Sequence, residues 1–81
     1  MEERIKELID IIKREVANVM NTAAEEIDED INLLELGVSS IEAMQIINSI
    51  KEELQVDVSP AIIFEYQTIG ELASFLAGVA E

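Results

Sequence analysis

The 81-residue chain has no cysteine, no histidine and no tryptophan, and its only aromatic residues are Phe64, Tyr66 and Phe75. Without cysteine, neither disulfides nor thiolate ligation can supplement the core. Without histidine, the usual zinc sites and the Ser-His pairing of serine hydrolases are both excluded. Proline occurs once, at Pro60, and glycine only at positions 37, 70 and 78, so residues that interrupt helices are scarce. Bases are also few: five Lys and Arg stand against eighteen Asp and Glu, a net charge of −13.

What fills the chain is aliphatic. Hydrophobic residues make up 49% of it and aromatics 4%, and the aliphatics recur at helical spacings rather than in the aromatic and β-branched alternation of strands. The expected fold class is all-α, a small four-helix bundle with a long loop between the first two helices and a short third helix. A chain of this length holds one core, so residues 1–81 form one domain.

The charge is unevenly placed. Residues 1–14 carry four acids (Glu2, Glu3, Glu7, Asp10) and four bases (Arg4, Lys6, Lys13, Arg14), which cancel; from Glu15 to Glu81 fourteen acids face Lys51 alone. Such a surface repels nucleic acid and anionic membranes and attracts basic protein surfaces. The charged beginning and the lack of a long apolar run argue against a signal peptide or a membrane span, and the expected setting is the cytoplasm.

Ile5, Leu8, Ile9, Ile12, Val16 and Val19 recur every three or four residues and predict a first helix over roughly Glu2–Met20, with Ile11 off its apolar stripe. Asn21 to Ser39 lacks such periodicity. It reads as a packed loop with a Thr22–Glu25 capping box around a single turn, tacked to the core by Ile27, Ile31, Leu33, Leu34 and Leu36. Loops of this length within compact domains are uncommon and often functional. Asp28, Asp30 and Asn32 match the first ligand positions of a calcium-binding loop, but Leu33 stands where the turn glycine belongs and Ser39 where the bidentate glutamate belongs, so no metal site is expected.

A second amphipathic helix over Ser40–Leu54 begins at a clear signal. Ser39 followed three residues later by Glu42 is a capping box, which puts Ser40 at the first helical position. There the backbone N–H groups lack intrahelical partners and the helix dipole presents its positive end, an environment suited to a phosphodiester on the Ser40 hydroxyl. Ser40 has no histidine to activate it, and Lys51 lies about 16 Å further along the helix at about 1.5 Å rise per residue. Catalysis by this serine is thereby disfavoured, and modification by another enzyme favoured. Further on, Gln55–Val58 reads as extended and Ser59-Pro60 opens a short helix to Glu65. Thr68 with Glu71 caps a last helix whose Leu72, Phe75, Leu76 and Val79 face inward; Phe64 reads as core, and Tyr66 as placing its hydroxyl at the surface.

Leu36-Gly37-Val38-Ser39-Ser40-Ile41 resembles the element that opens helix II in the acyl carrier protein family, Leu-Gly-x-Asp-Ser-[Leu/Ile]. The resemblance extends over nearly the whole chain, through Ile27–Glu35, the helix running to Glu52-Glu53-Leu54, and Phe64–Ala73. It implies a carrier that catalyses nothing itself: a phosphopantetheinyl transferase attaches 4'-phosphopantetheine from coenzyme A to Ser40, and the arm's thiol holds acyl groups as thioesters. It further implies transient docking of ketosynthase, acyltransferase and other synthase enzymes on the second helix, through Ile41, Glu42, Met44, Glu52 and Glu53, by a protein monomeric in isolation.

Two departures stand out. Ser39 replaces the family's usual aspartate, keeping the cap while removing a charge; Ser39 is also a conceivable acceptor, although the family register, with Ile41 after the modified residue, selects Ser40. Gln45 and Lys51 interrupt the acidic face that fatty-acid carriers show, and Phe64-Glu65-Tyr66 is similar to carriers of modular polyketide synthases. Polyketide assembly is the expected setting, with a fatty-acid or other discrete carrier as the alternative; an acidic helical adaptor without a prosthetic group is the reading from a different class. The same chain suits a free-standing carrier and a domain of a larger synthase.

Overall fold

Among the described residues, three α-helices and two 3₁₀ turns build the domain: α1 Glu2–Met20, a turn at Ala24–Glu26, α2 Ser40–Leu54, a turn at Pro60–Phe64, and α3 Ile69–Ala80. The computed structural model describes residues 2–80, and the side chains of residues 3–79. α1 packs against both α3 and α2, and α2 also packs against the second 3₁₀ turn.

Each helix buries one stripe. Leu8, Ile12 and Val16 of α1 meet Ala43, Ile46, Ile47 and Ile50 of α2 and Ile69, Leu72, Ala73 and Leu76 of α3 in one cluster, with Ile63 from the second turn, and none of these is more than 1% exposed. Burying an aliphatic side chain of this size contributes about 1.5–3 kcal/mol. That contribution holds β-branched isoleucines in helices that their intrinsic propensity alone would not secure. Ile11, off the main stripe, is partly buried against the same cluster.

The long loop is fastened rather than loose. Ile27, Leu33 and Val38 are buried in the core. Leu33 N–H donates to the Gln67 carbonyl at 2.8 Å, Asn32 pairs with Thr68 in an isolated antiparallel bridge, and Asn32 Nδ2 donates to Gln67 Oε1 at 2.7 Å. Gly70 N–H, one of the first-turn donors of α3 that no helical carbonyl can reach, donates to Glu29 carbonyl oxygen at 3.1 Å. The loop thus completes the start of α3 while α3 holds the loop. Asp28 Oδ1 accepts the Asp30 N–H and Asn32 Oδ1 the Leu34 N–H, so oxygens that suggested calcium ligands are committed to local turns.

Several sequence expectations change. The short third helix is a 3₁₀ turn, Pro60–Phe64, with Ser59 as its cap; Ile62 and Ile63 point inward and Phe64 is 41% exposed. On α3 the buried stripe is completed by the small Ala73 and Ala77, leaving Val79 exposed and Phe75 half-buried, where it stacks on Tyr66 at 4.6 Å between ring centroids. In the loop, Ile31 and Leu34 are exposed instead of packed inward. Thr22 does not cap a turn through Glu25: the turn starts after Ala23, and the Thr22 hydroxyl donates to the Glu26 carboxylate. Gln55 is not extended but left-handed (φ 55°, ψ 44°), ending α2 as Val56 N–H closes onto the Lys51 carbonyl.

Candidate functional site

The backbone reaches Ser40 through a fixed approach. Leu33, buried and bonded to Gln67, anchors the loop; Val38 is buried and its N–H donates back to the Leu33 carbonyl at 3.3 Å. Between these anchors Gly37 adopts φ +107°, a conformation that residues with a Cβ rarely take. The turn it permits brings Ser39 to the end of α2.

Ser39 and Glu42 then form the reciprocal cap that their spacing announces. The Ser39 hydroxyl accepts the Glu42 N–H at 3.1 Å, and Glu42 Oε1 accepts the Ser39 N–H at 3.0 Å. Ser40 follows as the first residue of α2 and is exposed. Among the described residues, no hydrogen bond engages its hydroxyl. The N–H groups of the first helical turn and the positive end of the dipole favour negative charge here. The nearest carboxylate on α2, that of Glu42, is turned back toward the Ser39 N–H.

Next to Ser40, α2 exposes apolar side chains. Ile41 is 71% and Met44 45% exposed, because the buried stripe of α2 runs along Ala43, Ile46, Ile47 and Ile50 on another face. Glu52 and Glu53 are exposed at the far end of the helix, about 18–20 Å from Ser40 at about 1.5 Å rise per residue. The structure therefore brings Ser39, Ser40, Ile41, Glu42 and Met44 together and leaves Glu52 and Glu53 apart. Glu53 also has a partner that its sequence neighbours do not announce: Arg14 Nη2 of α1 lies 2.6 Å from each of its carboxylate oxygens.

Elsewhere, a surface depression of about 540 Å³ is lined by Lys13 and residues 25–30. Among the described residues, no helix is long and apolar enough to cross a membrane.

The family described as phosphopantetheine attachment site matches residues 10–76. Norsolorinic acid synthase of Dothistroma septosporum is 32% identical over 79 residues, covering 95% of this chain and 3% of the synthase. Mycoketide-CoA synthase of Mycobacterium tuberculosis is 33% identical over 70 residues, covering 85% of this chain and 2% of that protein. Polyketide synthase PksL of Bacillus subtilis is 27% identical over 62 residues, 76% of this chain and 1% of the synthase. The chain thus spans a few hundredths of the length of these relatives.

Among solved structures, a free-standing peptidyl carrier protein from a secondary metabolic pathway of Acinetobacter baumannii superposes with a TM-score of 0.90 at 26% identity, covering 95% of this chain and 96% of that one. The HMG-ACPI domain of the CurA module from Lyngbya majuscula shares the fold, with a TM-score of 0.86 at 24% identity over 94% of this chain and 77% of that one. Helix order, the capped serine and the span of the family match lead to one conclusion: this chain belongs to the phosphopantetheine attachment-site family, whose members are non-catalytic carriers of covalently bound 4'-phosphopantetheine.

Proposed function

We propose that Ser40 is the residue that carries the phosphopantetheine arm and that the chain is a carrier domain of polyketide biosynthesis. The observation that supports this most strongly is the position of Ser40: exposed, unbonded among the described residues, and first in α2 directly after the Ser39–Glu42 cap. A phosphodiester on Ser40 Oγ fits the residues present, since it extends into solvent from the positive end of a helix, and an oxygen of the neighbouring Glu42 carboxylate is engaged by the Ser39 N–H. When bound, the group supplies a terminal thiol for thioester chemistry, which a chain without cysteine cannot provide itself.

The residues of the chain have distinct tasks in this account. Ser39 and Glu42 hold the first turn of α2 so that the Ser40 hydroxyl stays presented to a phosphopantetheinyl transferase. Gly37 and Leu33 fix the approach to that turn. Ile41 and Met44 offer apolar contact to ketosynthase and acyltransferase partners, and the surrounding acidic surface speeds their encounter without holding them long. The chain is monomeric in isolation, works in the cytoplasm and forms one carrier domain over residues 1–81.

The polyketide assignment is supported by the synthases named above and is testable by charging. The holo chain, malonyl-CoA and an acyltransferase domain of a polyketide synthase are combined and the intact mass is read. A malonyl mass gain on the holo chain and none on the apo chain is expected. Charging by fatty-acid acyltransferases alone, across several polyketide acyltransferases, would contradict the polyketide assignment.

A further inference from the structure

The acidic residues of α2 are not equally available. One oxygen of the Glu42 carboxylate, Oε1, accepts the Ser39 N–H at 3.0 Å. Both Glu53 oxygens lie 2.6 Å from one guanidinium nitrogen of Arg14, which reaches over from α1. In the stretch from Glu15 to Glu81, Lys51 is the only base, so a guanidinium seated on this carboxylate comes from outside the acidic part of the chain.

We infer that Arg14 is an intrachain counter-cation that withholds Glu53 from partner surfaces, making Arg14 a selectivity-determining residue for docking on α2. The inference rests on the carrier reading for its consequence. An arginine from a partner must share Glu53 with, or displace, one already in place, and the resident arginine competes intramolecularly, with no association entropy to overcome. The pair is reachable, with side-chain exposures of 55% for Arg14 and 39% for Glu53. An exposed pair of this kind biases binding by about two- to fivefold, a graded preference rather than a block. The kind of partner that fits is therefore one whose contact near Ser40 is apolar, meeting Ile41 and Met44. A partner with an arginine-rich rim along the whole of α2 is disfavoured.

The test uses the full chain as wild type, Arg14→Gln, Glu53→Gln and the double variant. A fluorescently labelled ten-arginine peptide serves as the cationic probe, with binding read by anisotropy and backbone amides followed by NMR. Glu53→Gln is expected to change affinity by less than about 1.5-fold in the wild-type background and to weaken it by about two- to fivefold in the Arg14→Gln background. The Glu53 and Leu54 amides should respond to the peptide more strongly when Arg14 is replaced, while Glu52, exposed in wild type, responds in both backgrounds. Arg14→Lys, which keeps a cation at this position, should behave closer to wild type, separating the charge from any effect on folding. Equal effects of Glu53→Gln in both backgrounds, or no larger response at residues 53–54 when Arg14 is replaced, would overturn the inference. Coenzyme A-dependent loading of the same proteins reports separately on the carrier reading: a folded wild type that accepts no arm contradicts that reading, whatever the coupling shows.

Discussion

Ser39 and Glu42 satisfy each other's backbone: the serine hydroxyl accepts the glutamate N–H at 3.1 Å and the glutamate carboxylate accepts the serine N–H at 3.0 Å. Two donors that the start of any helix leaves orphaned are thereby paired, directly beside the serine proposed to carry the arm. The family's usual aspartate would serve as the same cap, so what Ser39 removes is a charge and not the geometry.

Replacing Ser39 by alanine is expected to cost about 1 kcal/mol of stability, the usual loss for an N-cap. In a domain of this size that corresponds to a melting temperature lower by about 4–8 °C. Ser39→Asp should leave stability nearly unchanged. Thermal unfolding followed by circular dichroism checks both, and an alanine variant as stable as wild type would remove the cap from the account.

Gly37→Ala is expected to destabilise by about 1–2 kcal/mol, because φ +107° is costly for a residue with a Cβ. The nearest atom to an added Cβ is Met20 Cε at 3.7 Å, an ordinary contact, so the cost is backbone strain rather than collision. Urea unfolding of the variant measures it; no loss would mean that the approach to Ser39 tolerates another backbone conformation.

Leu33→Ala should cost about 2–5 kcal/mol through a cavity beneath the loop. The total available to a chain of this length is only roughly 4–12 kcal/mol, at about 0.05–0.15 kcal/mol per residue. Hydrogen exchange should show the Leu33 and Gly70 amides losing protection together, since their bonds to Gln67 and Glu29 join the loop to α3. Independent exchange of the two would contradict that coupling.

How far the sequence discloses the structure depends on the range of the signal. The bounds of α1 and α2 follow from apolar spacing and from Ser39-x-x-Glu42, interactions confined to one or two turns, and the candidate site is legible because Ser40 sits on such a signal. Gln55 in the left-handed region, the 3₁₀ geometry of Pro60–Phe64 and the outward Phe64 and Val79 depend on which surfaces α1 and α2 cover, and local pattern carries no such information. The clasp of Asn32, Gln67 and Thr68 and the Arg14–Glu53 pair join residues 35 to 39 positions apart, so spacing rules based on helix or strand period do not reach them.

Ile41→Ala should leave unfolding unchanged, since the side chain is 71% exposed, while slowing transfer between the holo chain and a partner acyltransferase. The expected form is a higher KM with kcat largely retained, as for lost uniform binding. A variant with wild-type KM would take Ile41 out of the docking face.

Whether Ser40 bears the arm is read from intact-protein mass spectrometry after incubation with coenzyme A and a broad-specificity phosphopantetheinyl transferase. A phosphopantetheine mass gain is expected in wild type and in Ser39→Ala, and none in Ser40→Ala. A gain that survives in a folded Ser40→Ala protein, or is absent from folded wild type with several transferases, would contradict Ser40 as the bearer of the arm.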